Sequence, residues 1–381
     1  VEGEWLDKER ALCATVINAQ SYEMYFTGKG TESCNLAVLG TYQAFALGST
    51  QEVRGVCQLP HIIVSSMEHP AVLEPVHYLE KRGLVRVTYL PVYEDGIVKE
   101  KDVREALCDE TILVSVMYAN NEIGTLQPVK EIGRLIDEWK RSKGLSHVSY
   151  PYFHIDACQA ANYCNLDVLR LKAHMMTVNS SKIYGPKGVA LLYKREGIKV
   201  TEVTYGGGQE RELRSGTEAV AQAYAFGVAL KEAEELRVKE SERLRELRDY
   251  CKEKITEAIP DSIFYGAFDE YATTHDPASK LHARNRILRE ERRLPNNINC
   301  RVPGVLSEEM ILRLDAKGFA VSHKSACASR ETDGSYVLMA LGISESDAME
   351  NIRITFGRTT TKKQIDTLVS SMKDIASKYR K

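Results

Sequence analysis

Apolar residues in this chain gather into short, nearly continuous runs rather than strict alternations. Residues 62–66, 85–92, 111–118, 152–156, 175–180 and 189–193 read as strands by their β-rich composition. Between them, residues 102–109 and 129–143 read as amphipathic helices. Strands that are apolar almost throughout, separated by helices, predict an α/β fold with a mostly parallel sheet covered on both faces. Such sheets hold ligands at the carboxyl ends of their strands. The polar residues that close these runs are therefore the first candidates for chemistry.

The pattern changes after residue 217. Residues 218–259 predict one long helix, charged on most faces (Glu232, Glu234, Glu235, Lys239, Glu240, Glu242, Arg243), that bridges to a second, smaller domain. Residues 269–293 are polar and irregular and include Arg284, Arg286, Arg289, Arg292 and Arg293; they read as a mobile surface insertion. The 381-residue length suits two or three domains, or one large and one small. With 51 basic and 53 acidic residues the formal net charge is −2, which gives no reason to expect nucleic acid or an acidic membrane as partner. No apolar run approaches the roughly 18 residues that span a bilayer, and the charged start does not suit a signal peptide. The nine cysteines form no C-x-x-C pair and are odd in number, so reduced thiols in a cytosol-like compartment are expected and a metal site is not.

Two blocks carry the strongest chemistry. Thr177-Val178-Asn179-Ser180-Ser181-Lys182 ends a strand on a lysine, and Gly185-Pro186-Lys187-Gly188 then turns the chain sharply. His154-Ile155-Asp156-Ala157-Cys158-Gln159 ends another strand on an acid. A lone lysine at a turn is as well explained by solvation. A lysine and a carboxylate at neighbouring strand ends are the two parts that pyridoxal phosphate (PLP) chemistry needs. The amine forms the Schiff base, and the carboxylate keeps the pyridine nitrogen protonated so that the ring can accept electrons.

These blocks resemble the class V aminotransferases among the fold-type I PLP enzymes, and specifically the cysteine desulfurases of iron–sulfur cluster assembly. The similarity runs from about residue 9 to 374 with the motifs in the same order and is weakest over 266–293; the Asp-Tyr/Asn-Ala-Thr-Thr stretch that opens the family pattern is not among these residues. It implies a large PLP-binding domain over 1–220 with a mostly parallel seven-stranded sheet, and a smaller α+β C-terminal domain over 221–381. It also implies that Lys182 carries PLP, that Asp156 faces the pyridine nitrogen and that Gln159 donates to the phenolic oxygen.

Other residues take roles from the same resemblance. In Phe26-Thr27-Gly28-Lys29-Gly30-Thr31, a Gly-rich turn opens a helix, a natural phosphate cradle; Gly30 and Thr31 are the implied phosphate ligands. His69, in Glu68-His69-Pro70, is similar to the histidine that stacks on the ring and moves protons. Asn121, in Asn120-Asn121-Glu122-Ile123-Gly124, falls near the ring and the substrate carboxylate. Thr217, after Gly206-Gly207-Gly208-Gln209-Glu210, implies a homodimer with shared sites, because in the family it reaches the neighbouring subunit's cofactor phosphate. Arg353 resembles the bidentate clamp on the substrate carboxylate. Cys327, in Ser325-Ala326-Cys327-Ala328-Ser329, resembles the sulfur-accepting nucleophile, with His323 and Lys324 nearby to favour its thiolate. The chain departs from the family at Asn179 and Ser181, where serine and histidine are usual, and at Lys29 and Lys324, where glycine is usual.

The implied reaction converts L-cysteine to L-alanine and leaves a persulfide on Cys327 for a sulfur-acceptor or scaffold protein. Selenocysteine lyase, another class V activity and a weakly active PLP-binding scaffold are the alternatives. No nucleic acid, membrane or metal enters this reading, and the expected location is the cytoplasm or a mitochondrial matrix.

Overall fold

The computed structural model describes residues 2–48, 59–268, 292–323 and 334–380. Two compact units divide the chain: residues 1–91, 98–119 and 127–238 form the first, and residues 92–97, 120–126 and 239–381 the second.

The first unit is built on seven strands: β1 (Met24–Thr27), β2 (His61–Ser65), β3 (Arg86–Leu90), β4 (Thr111–Ser115), β5 (Tyr152–Asp156), β6 (Met175–Asn179) and β7 (Ala190–Lys194). They lie in the order β1-β7-β6-β5-β4-β2-β3. Pairing is parallel from β3 to β6, and β7 runs antiparallel to both of its neighbours. The carboxyl ends of β1, β2, β4, β5 and β6 therefore share one edge, where Thr27, Ser65, Ser115, Asp156 and Asn179 close their strands. Strands β2, β4 and β5 are buried along their whole length, as their unbroken apolar runs require.

The helices of this unit are α1 (Glu2–Ile17), α2 (Gly30–Gly48), α3 (Pro70–Lys81), α4 (Glu100–Ala106), α5 (Val129–Ser142), α6 (Val168–Leu171) and the start of α7 (Val220–Ala258). Helix α5 buries Val129, Ile132, Leu135 and Ile136 at helical spacing. Gly133 sits so close to α6 that a Cβ there would lie 2.3 Å from the Leu171 carbonyl oxygen. The expected helix over 218–259 is observed as α7, with ends shifted by one or two residues.

The second unit holds β8 (Ile263–Phe264), β9 (Asn297–Arg301) and β10 (Asn351–Thr355) in one antiparallel sheet of order β10-β9-β8. Helices α8 (Ser307–Asp315), α9 (Tyr336–Ala340), α10 (Glu345–Ala348) and α11 (Lys362–Tyr379) complete it.

One expectation is corrected here. Arg293 was assigned to a mobile surface insertion, yet it is only 2% exposed. Its guanidinium donates to the carbonyls of Tyr265 at 2.8 Å and Asn297 at 3.1 Å and stacks over the Phe268 ring. The buried cation is tolerated because backbone oxygens replace its water. Arg292 is exposed, as expected, and residues 269–291 lie outside the described residues.

Candidate active site

At the carboxyl edge of the first unit's sheet, β5 ends on Asp156, which is 6% exposed. Its Oδ1 accepts the Cys158 backbone N–H at 3.0 Å. Among the described residues its Oδ2 accepts from the Cys34 thiol, a weak donor, at 3.9 Å. The carboxylate thus keeps one oxygen able to take a strong donor. Two residues upstream on the same strand, His154 is bracketed by Ser115 Oγ at 2.8 Å and Thr177 Oγ1 at 3.0 Å. Burial lowers its pKa to about 4, so the imidazole under Asp156 stays neutral.

His69 caps α3: its Nδ1 accepts the Ala71 N–H at 3.0 Å, and Pro70 follows at the first helical position. That bond fixes the proton of the neutral ring on Nε2. Burial lowers the His69 pKa, Lys182 lowers it further, and Asp156 opposes both. Those couplings place His69, Asp156 and Lys182 in one electrostatic neighbourhood. Lys182 ends a short 3₁₀ turn, Ser180–Lys182, directly after β6. Its carbonyl accepts from Asn162 Nδ2 at 2.6 Å. Its side chain is exposed, and the amine forms no hydrogen bond among the described residues.

The turn from β1 into α2 lies beside these groups. A Cβ on Gly30 would come within 3.1 Å of Cys158 Sγ and 3.3 Å of the Asn179 Cβ, so only glycine lets α2 start this close to the ends of β5 and β6. The first-turn N–H groups of α2 have no helical acceptor and form an anion-ready terminus. Thr31 and Ser181 are exposed, and Gln159 is half-buried in the turn after β5. Glu32 accepts from the Gly28 N–H at 2.6 Å and from Arg214 Nε at 2.8 Å. The Arg214 bond brings in the loop that carries Thr217, and Thr217 and Arg214 line a small cavity with Thr27, Gly28 and Phe26. Within that loop, Glu210, Arg211 and Glu212 all have left-handed backbones, with φ of 48°, 54° and 64°. Such a run is costly for non-glycine residues. Glu210 is tied down by a bidentate bond from Arg10 of α1, at 2.6 and 2.7 Å, and accepts the Phe26 N–H at 3.0 Å.

Gly30, Thr31, His69, Asp156, Gln159, Asn179, Ser181, Lys182 and Thr217 all fall in the first unit. Asn121 and Arg353 fall in the second, where Arg353 Nη1 donates to the Asn121 carbonyl at 3.1 Å. Burial lowers the Arg353 pKa, and Glu122 opposes that shift. Cys327 and Lys324 lie outside the described residues.

The sequence reading missed Glu68, which is fully buried beside His69. Its Oε1 accepts from Ser65 Oγ at 2.5 Å and from the Met117 N–H at 2.8 Å. Burial raises its pKa to about 8, assisted by the charge of Asp156. An acid placed directly after an apolar strand was the available signal.

A model of the class V aminotransferases matches residues 3–275. Cysteine desulfurase IscS of Dictyoglomus turgidum is 38% identical across 98% of this chain and 84% of its own length. Cysteine desulfurase IscS 1 of Archaeoglobus fulgidus is 33% identical across 99% of this chain and 87% of its own. Among solved structures, a NifS-like protein superposes with a TM-score of 0.81 at 26% identity, covering 99% of this chain and 88% of that one.

Proposed function

The chain belongs to the class V aminotransferase family of PLP enzymes, and we propose that it is a cysteine desulfurase, converting L-cysteine to L-alanine with the sulfur retained on Cys327. The observation that carries the reading is Asp156, a buried carboxylate with one oxygen left for a strong donor, at the end of the strand beside the one that leads to Lys182, whose side chain is exposed. A protonated pyridine nitrogen is such a donor. The helix terminus at Gly30, within van der Waals reach of Asn179 and Cys158, suits the phosphate. PLP therefore fits the residues present, with Asp156, Gln159, His69, Gly30, Thr31, Asn179, Ser181 and Thr217 as its ligands and Lys182 as its covalent partner.

Bound there, PLP supplies an electron sink for the charge left when the substrate loses its α-proton. Lys182 removes that proton in its free amine form. His69, neutral and with its proton held on Nε2, assists the transfer. Asn121 and Arg353 bind the substrate carboxylate. Cys327, as thiolate, attacks the substrate sulfur: the S–S bond forms, the C–S bond breaks, and its electron pair with a proton completes alanine. The neutral donors Ser181 and Asn179 hold the phosphate without the positive charge a histidine could add.

We infer further that the enzyme is a homodimer sharing sites through Thr217 and that it feeds acceptor proteins of iron–sulfur assembly. We assign it to the cytoplasm or a mitochondrial matrix, with no nucleic-acid or membrane partner. The near-neutral net charge supports this reading. So does the lack, among the described residues, of a helix long and apolar enough to cross a membrane.

Alanine release and persulfide labelling with L-cysteine test the proposal. Lys182→Ala should lose the visible cofactor band and all turnover. Cys327→Ser should keep the band and still respond to L-cysteine, yet form no persulfide, because a serine hydroxyl is almost never ionised near neutral pH. Wild-type turnover by Cys327→Ser would end the desulfurase reading.

A further inference from the structure

Helix α2 is pinned to the sheet at its first turns. Ser33 Oγ lies 2.7 Å from Thr27 Oγ1 at the end of β1, and Gly30 packs against Cys158 and Asn179. Next along the helix, the half-buried Asn35 faces two backbone carbonyls. Its Nδ2 donates to that of Thr31, four residues back, at 2.9 Å and to that of Ala71 in α3 at 3.1 Å. All of these residues belong to the first unit.

Ala71 has a particular need for that donor. In an α-helix its carbonyl would accept the N–H of residue 75, and residue 75 is a proline inside α3. Ala71 is only 6% exposed, so water is a poor substitute. A buried carbonyl without its donor is costly, and the Asn35 amide supplies the one that Pro75 lacks. The N–H side of Ala71 holds His69. That N–H donates to His69 Nδ1 at 3.0 Å, and the His69 carbonyl accepts from Val72 and Leu73 at 2.8 and 3.1 Å. Ala71 thus carries the His69 imidazole on its N–H and Asn35 on its carbonyl. The same Asn35 amide grips the peptide of Thr31, whose side chain the PLP reading gives to the phosphate. The phosphate turn and the histidine cap are joined by one side chain.

We propose that Asn35 is a positioning residue for the cofactor site, holding the first turn of α3, and with it His69, in place against the phosphate turn of α2. This rests on the reading of His69 as the ring-stacking histidine. Asn35 acts through Ala71, and Pro75 makes α3 depend on it. A helix without that proline would close the bond itself.

The test uses that dependence. The full chain, stripped of PLP, is titrated with PLP to give a dissociation constant from the visible band, and alanine release is measured on the loaded variants. Asn35→Leu is similar in size and lacks both side-chain N–H groups. It should weaken PLP binding about tenfold, the scale of one buried carbonyl left without its donor, and lower kcat about threefold or more. Pro75→Ala alone should leave both within twofold. Added to Asn35→Leu, it should bring the dissociation constant back to within about threefold of wild type, because the N–H of residue 75 then serves Ala71. A side chain that merely stabilised the fold would change the folded fraction and not the affinity of the folded protein. PLP affinity within twofold of wild type in Asn35→Leu overturns the proposal, and so does a loss that Pro75→Ala does not restore. If Asn35→Leu does not fold, Asn35→Ser decides by the same two comparisons, since serine can bond the Thr31 carbonyl but is too short for α3. His69→Ala runs alongside. Unchanged PLP affinity and turnover there would remove the ring-stacking reading itself, and the proposal would fall for a reason visible in the histidine variant.

Discussion

Both ends of the first unit's sheet bury ionisable groups, with opposite results. At the amino ends of β5 and β6, Lys140 is 1% exposed, with its amine 2.8 Å from His174 Nε2 and 3.2 Å from the His147 carbonyl. His174 Nδ1 accepts the Phe153 N–H, so its proton sits on Nε2, where it donates to the His147 carbonyl or to Lys140. An ammonium has no lone pair to receive it, so the contact suits a neutral amine. Burial, helped by Arg195 and opposed by Asp137, lowers the Lys140 pKa to about 7. The polar groups of Lys140 and His174 are thus bonded to one another and to backbone. At the carboxyl ends, Asp156 keeps an oxygen available and Lys182 keeps an exposed amine. Perturbed titration therefore does not by itself mark an active site. A reserve of unsatisfied bonding capacity beside a helix terminus does.

The hardest test of this contrast is Asp156→Ala. Losing a buried charge partner is worth roughly 3 kcal/mol or more, so alanine release should drop by more than about a hundredfold while the unfolding midpoint moves little. Retained activity would erase the distinction between the ends.

Lys140→Met should do the reverse, leaving kcat and KM within twofold and changing the pH dependence of stability. The folded amine titrates near 7 and the unfolded one near 10.5. The penalty for burying it is full below about pH 7 and is relieved as pH rises towards 10.5. Wild-type stability should climb across that window by at most ~1.4 kcal/mol per pH unit, and the variant should flatten the climb. Denaturant midpoints measured from pH 6 to 10 decide the matter, and an unchanged slope would mean that Lys140 is charged in the fold.

Glu68→Gln gives the smallest of the three effects and the opposite sign. Its folded pKa of about 8 lies above the usual 4.5, so stability falls as pH rises through that interval and levels above it. At neutral pH only part of this interval has been crossed, whereas the Lys140 penalty is near its maximum. Glutamine retains an acceptor for Ser65 and Met117 but cannot ionise, so the decline between pH 4.5 and 8 should shrink.

Much of this was legible in advance. The strand 152–156 agrees to the residue with β5, because both of its faces are buried and its run is apolar but for His154 up to the acid. The run 85–92 overshot β3, which stops at Leu90 while apolar residues continue through Pro91 and Val92. Composition cannot tell an apolar loop from an apolar strand. The blocks around Lys182 and Asp156 stood out because each follows or closes an apolar strand, and His69 was found through the family resemblance. Arg293 misled because its acceptors are backbone carbonyls, which any sequence supplies. Glu122 was quoted in its motif without its partner Ser335, which lies 213 positions away with no periodicity to link them.

The bond from Arg10 to Glu210 also has a bearing on time. The two residues are 200 positions apart. A ribosome adding about 5–20 residues per second needs roughly 10–40 s to deliver the second after the first. Throughout that interval Arg10 lacks its buried counter-charge and has only the exposed Asp7, at 3.9 Å. Helix α1 is thus made well before its partner, and its bond to the left-handed turn at Glu210–Glu212 forms only once residue 210 has been added. A chain released early, before residue 210, would have β1 to β7 complete and α1 without Glu210.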